Sequence, residues 1–202
     1  MDNLIIKAFQ LYYKKYSNIF KIFYPATDSD GFVECNQTIH FCNALINIQK
    51  DINSFYWLEV SVPKTKSNFK KGHIDAVLIY PDNKTIYYIE SKRLSTYRNN
   101  FDNRVNSISS DFERILDIEV RNSIKKRIDT EIHHEFIICL ADFWISDDYE
   151  EIPNKKWIKD INNVNNENII YLSKRIEKQK DIKYKEEETI LNYCLHLAYY
   201  KI

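Results

Sequence analysis

Three charged side chains stand where two apolar strands would favour none. In HIDAVLIYPDNKTIYYIESKRL, residues 73–94, Asp75 opens one apolar run, Glu90 closes the next and Lys92 follows two residues later. Between the runs, Pro81-Asp82-Asn83-Lys84 carries turn chemistry, so the stretch reads as a β-hairpin. With Asp82 and Asn83 central in the turn, Tyr80 faces Thr85, Val77 faces Tyr88 and Asp75 faces Glu90. Directly opposed residues on one sheet face have Cβ atoms about 4.5–5.5 Å apart. Lys92 lies two residues beyond Glu90, so alternation puts it on the same face.

Two carboxylates this close repel, which raises one of their pKa values. A divalent cation removes the conflict, and Mg²⁺ is commonly held by one or two carboxylates, waters and substrate phosphate oxygens. A neighbouring lysine can position or deprotonate a water, or stabilise charge on a phosphate. The plainer alternative is a solvated cluster in which Lys92 neutralises the pair. Asp82, in a literal Pro-Asp, is a decoy: it lies in the turn, too many residues from the Glu90 level to share an ion with it.

The surrounding pattern supplies the elements that must hold these residues. Residues 3–20 have apolar residues at helical spacing, and helical spacing resumes over 32–50 with Glu34 in the first turn. FYWLEVSV (55–62) is β-branched and aromatic and ends at Pro63, so it predicts a strand. A basic loop, 63–72, leads to the hairpin, and 24–31 reads as another loop. Ser110 and Glu113 match a capping box, predicting a helix to about Ile128. Residues 134–145 and 168–173 read as strands, 146–166 as a polar excursion, 174–188 as a solvated charged stretch, and 189–200 as a closing helix. The order is helix, helix, three strands, helix, strand, strand, helix, an α/β fold with a central mixed sheet flanked by helices.

Composition narrows the functions. The 202 residues are 44% hydrophobic, enough for a real core, and 29 basic residues balance 29 acidic ones. Any nucleic-acid surface must therefore be local. The two glycines, Gly31 and Gly72, are too few for a phosphate-binding loop, so no nucleotide cofactor is expected. Cys35, Cys42, Cys139 and Cys194 form no Cys-x-x-Cys pair, as expected of reduced thiols in a cytoplasmic protein. No signal peptide or membrane-length apolar run is seen, and no membrane partner is expected.

GHIDAVLIY followed by TIYYIESKR resembles the PD-(D/E)XK nuclease superfamily, also called restriction-endonuclease-like. An aspartate opens one strand, and the next apolar strand ends in Glu-Xaa-Lys. The family's core of helix, three strands, helix and strand fits residues 32–142, and several members carry a glutamate on the preceding helix, here Glu34. The resemblance covers about half the chain, with none over 1–23 or 143–202; length and the lack of a linker suit one domain over 1–202, the core joined by an N-terminal helix and a C-terminal strand-helix extension. The resemblance implies Mg²⁺- or Mn²⁺-dependent hydrolysis of phosphodiester bonds, in DNA before RNA, in defence or repair. Asp75 and Glu90 would bind metal, the Ser91 carbonyl would add a ligand, Glu34 would hold the metal or its water, and Lys92 would orient the attacking water. Many members dimerise, so a homodimer is a possible partner state. The chain lacks the Gln-x-x-x-Tyr motif of the RecB-like branch and any separate recognition domain. The alternative is an inactive nuclease-fold protein that binds nucleic acid or regulates.

Further candidates surround these residues. Lys64, Lys66, Lys70 and Lys71 precede Asp75, and Arg93, Arg98 and Arg104 follow Glu90; all could grip phosphates, or line ordinary solvated loops. Glu59 competes with Glu34 as third carboxylate. His73 is expected to bond locally, and His133 and His134 lack a further ligand at useful spacing and read as structural.

Overall fold

The structure is a computed structural model, and it describes residues 2–22, 34–64, 72–94, 110–146, 169–176 and 191–202. Two helices come first, α1 (Asp2–Ile22) and α2 (Glu34–Gln49). Ile5, Ala8, Phe9, Tyr12, Tyr16 and Phe20 recur at helical spacing along α1, and all are buried. They pack with Phe41, Cys42 and Leu45 of α2 against one face of the sheet.

The sheet has six strands: β1 (Phe55–Val62), β2 (Gly72–Tyr80), β3 (Thr85–Leu94), β4 (His134–Ser146), β5 (Ile170–Ile176) and β6 (Leu191–Lys201). Their spatial order is β1-β2-β3-β4-β6-β5. All neighbours are antiparallel except β3 and β4, which run parallel. A parallel pair needs a crossover connection. That connection includes α3, residues 110–116, and α4 (Ile118–Lys125), whose Phe112, Ile115, Val120 and Ile124 cover the second face of the sheet. The sheet is thus mixed and lies between two helical layers.

Two sequence expectations are corrected. The crossover is not one helix to about Ile128. Asp117 interrupts it with an extended ψ of 118° and caps α4, its side chain accepting from the Glu119 N–H. The closing segment 189–200 is a strand, β6, not a helix, so the extension is strand-strand. Every residue from Tyr193 to Tyr199 is buried, because β6 is an inner strand whose residues join the cores on both faces of the sheet. A strand covered on both faces reads as a continuous apolar run, which periodicity cannot separate from a buried helix.

The alternation of β1 resets at Glu59. Tyr56 and Leu58 pack with the α1–α2 core, whereas Val60 and Val62, of the same parity, pack with the α3–α4 core. Glu59 has φ 52°, in the left-handed region, which is costly for a residue with a Cβ. The same reset occurs in β2, where Ile74 joins the α3–α4 core and Ala76 the α1–α2 core.

Candidate functional site

The reset falls beside Asp75. The β2–β3 register runs from Tyr80–Thr85 through Val77–Tyr88 to Ala76–Ile89, as the turn chemistry predicts. The next facing pair would be Asp75–Glu90, but the ladder stops before it. Instead the Asp75 carboxylate takes the place of a ladder acceptor: its Oδ2 accepts from the Ser91 N–H at 2.7 Å. On the other side, Leu58–Ala76 and Val60–Ile74 pair, while Glu59–Asp75 does not. Asp75 therefore sits where both neighbouring ladders part.

Glu90 and Lys92 alternate with Ile86 and Tyr88 onto the α3–α4 face. Ser91 turns the opposite way, and its hydroxyl meets Thr38 of α2 at 2.7 Å. One residue earlier, Gln37 donates to the buried Asp142 at 2.6 Å. These two buried polar contacts fix the start of α2 against the ends of β3 and β4. Glu34, the first residue of α2, lies one helical turn before them, and its side chain is outside the described residues. In a strand the N–H and C=O of one residue point to the same side, so the Ser91 carbonyl points toward β2 and Asp75.

The crossover helix adds two residues that the sequence reading missed. Asp111 Oδ2 lies 2.9 Å from Lys92 Nζ. Arg114 Nη2 lies 2.8 Å from Glu90 Oε1 and 2.8 Å from Asp111 Oδ1, and donates to the His73 carbonyl at 2.9 Å. The available signal was an acid–base pair at i, i+3 on the helix that follows the Glu-Xaa-Lys strand.

Burial and charge set the protonation of this group. Glu90 is 2% exposed. Burial foremost, then Asp75 and Asp111, push its carboxyl well above the ordinary value, with Arg114 and Lys92 pulling the other way. Asp75 Oδ2 meets the N–H of Ser91, the residue after Glu90, although no ladder joins Asp75 to Glu90. Burial alone would lower the Lys92 ammonium pKa, but Asp111, Glu90 and Asp75 outweigh it and raise it. Lys92 is therefore a fixed cation rather than a base in waiting. Among the described residues no three carboxylate, imidazole or thiolate groups converge as a preformed metal cage. Asp75 and Glu90 with a strand carbonyl are nonetheless hard oxygen donors of the kind that suits Mg²⁺ or Mn²⁺.

The remaining candidates are scattered. Lys64 is exposed just after β1. Lys66, Lys70, Lys71, Arg98 and Arg104 lie outside the described residues, as do the loop at 24–31, the excursion at 147–166 and most of the charged stretch at 174–188. Arg93 faces away from Lys92; it sits in register beside Asp142, on the side of Tyr16. Glu59 is exposed on the edge strand. His133 pairs with Glu131 at 3.0 Å, which Lys84 also holds at 2.7 Å.

No protein-family model, curated protein or solved structure matches this chain. Among the described residues no helix is long and apolar enough to cross a membrane.

Proposed function

We propose that this chain is a metal-dependent nuclease of restriction-endonuclease-like fold that hydrolyses phosphodiester bonds, with DNA as the first substrate to test. The observation that carries the reading is that, where the hairpin ladder opens, the Asp75 carboxylate bonds the N–H of Ser91, the residue between Glu90 and Lys92. The run of α2, three antiparallel strands, crossover helices and a parallel fourth strand supports it.

Asp75, Glu90 and the Ser91 carbonyl would hold Mg²⁺ or Mn²⁺, with Glu34, at the start of α2, as the candidate further ligand. The ion would supply Lewis-acid polarisation of the phosphodiester and a more acidic water. Lys92, held as an ammonium by Asp111, orients the attacking water and stabilises charge gathering on the phosphate oxygens. Lys64 and its neighbours in the preceding loop would grip flanking phosphates.

The test is a cleavage assay on plasmid and single-stranded DNA and on RNA across a Mg²⁺ titration, with wild type and Lys92→Ala, and nucleic-acid binding measured in Ca²⁺. The expected result is cleavage by the wild type and none by the variant, with binding retained in both. A second reading, an inactive binding protein, is favoured by one observation: the Glu90 carboxylate is already paired with Arg114. Metal and nucleic-acid binding without cleavage by the wild type would select it.

A further inference from the structure

We propose that Arg114 is the resident occupant of a cation seat formed by Glu90, Asp111 and the His73 carbonyl, and that a divalent cation must displace it to bind. The inference rests on the metal-dependent reading: the seat shares Glu90 with the Asp75 and Ser91 donors, so an ion cannot take Glu90 while Arg114 holds it.

One atom carries the argument. Three oxygens from three segments surround Arg114 Nη2: Glu90 Oε1 at 2.8 Å, Asp111 Oδ1 at 2.8 Å and the His73 carbonyl at 2.9 Å. This nitrogen has two hydrogens. It donates to Glu90 and to the His73 carbonyl, and its charge also faces Asp111 Oδ1. The Nε of the same guanidinium is buried and has no acceptor among the described residues. Arginine–carboxylate pairs are frequently bidentate, spread over two nitrogens. Here the oxygens crowd around a single centre, as ligands do around an ion.

The seat is also shaped for this side chain. A Cβ at Gly72 would lie 2.9 Å from Arg114 Nη1 and 3.3 Å from its Cζ. Gly72 does not have positive φ, so space rather than backbone freedom accounts for a glycine here. It is one of two glycines in the chain.

Two carboxylate oxygens and a backbone carbonyl form a donor set that hard divalent cations accept. A guanidinium and a cation cannot share it. The apparent affinity for the cation is then reduced by the fraction of molecules in which Arg114 is seated. Asp111, absent from the hairpin, becomes a ligand once Arg114 leaves.

The test is Mn²⁺ binding to the full chain by isothermal titration calorimetry, with thermal melts to verify folding. Gly72→Ala keeps every charge but crowds the guanidinium, and it should bind Mn²⁺ several-fold more tightly than wild type. Arg114→Gln should bind at least as tightly as Gly72→Ala. Adding Asp111→Asn to Arg114→Gln should weaken binding about tenfold or more, as expected when a group that orders a metal site is lost. Equal Mn²⁺ affinity in wild type, Gly72→Ala and Arg114→Gln would overturn the displacement and leave the metal site standing. Absence of Mn²⁺ binding in all variants would overturn the seat together with the metal-dependent reading.

Discussion

Lys92 Nζ and Asp111 Oδ2 stand 2.9 Å apart, joining the strand of the candidate site to the crossover helix beside it. The lysine is half-buried, where a lone ammonium would tend to lose its proton. Asp111 reverses that tendency and aims the side chain. Asp111→Asn should therefore lower the Lys92 pKa and reduce kcat/KM by about tenfold to a hundredfold. The alkaline limb of the pH–rate profile should move to lower pH, and Asp111→Glu should restore part of the rate. A profile unmoved by Asp111→Asn would leave Asp111 without a role in positioning Lys92.

Glu90 gives the ion-free protein a pH dependence of defined sign. The folded state holds its proton more tightly than the unfolded chain, whose value is near 4.5. Folding then takes up a proton above about pH 4.5, and stability falls as pH rises toward the raised folded value. Every tenfold difference in proton affinity between the two states is worth about 1.4 kcal/mol. Glu90→Gln should melt higher than wild type at pH 7 without metal, and its advantage should disappear by pH 4. An unchanged or lower Tm at pH 7 would mean that Arg114 and Lys92 fully offset the burial.

His196 works in the opposite direction. It is buried in β6 and stacked on Phe143, with ring centroids 4.5 Å apart and planes 7° from parallel. Burial lowers its pKa from 6.5 to about 3. The unfolded chain therefore takes up a proton that the folded protein refuses, and stability is lost as pH falls from about 6.5 toward 3. His196→Phe keeps the stacked ring and should flatten this acid limb. The measurement is Tm against pH for both proteins, and parallel curves would place the acid lability elsewhere.

Glu59 offers a test of the backbone. With φ 52° it adopts a conformation that glycine takes without penalty and β-branched residues resist. Glu59→Gly should stabilise by about 1 kcal/mol, and Glu59→Val should destabilise by at least as much. Chemical denaturation of the three proteins would show the order; a more stable valine variant would contradict the kink.

The hairpin was legible because local chemistry determines it. A four-residue turn fixes the register, and period-2 alternation then places Glu90 and Lys92. The departure of Asp75 from the ladder was not legible. It falls opposite the positive φ of Glu59, and glutamate gives no sign of that conformation. Asp111 and Arg114 were hidden for another reason: they meet Lys92 and Glu90 only through the crossover between β3 and β4. The strand β6 was misread because both its faces are covered. Its burial reports the layering of the whole domain and not a local preference.

The kink in β1 has a consequence away from any chemistry. β1 is an edge of the sheet, and Phe55 and Trp57 on it are 48% and 44% exposed. A long flat edge of this kind is a template on which another chain can add a strand, the first step of aggregation. The reset at Glu59 divides the edge into two short runs whose side chains point in opposite senses, so no incoming strand can follow it in one register. The distortion that makes room beside Asp75 thereby also guards the exposed edge against intermolecular pairing.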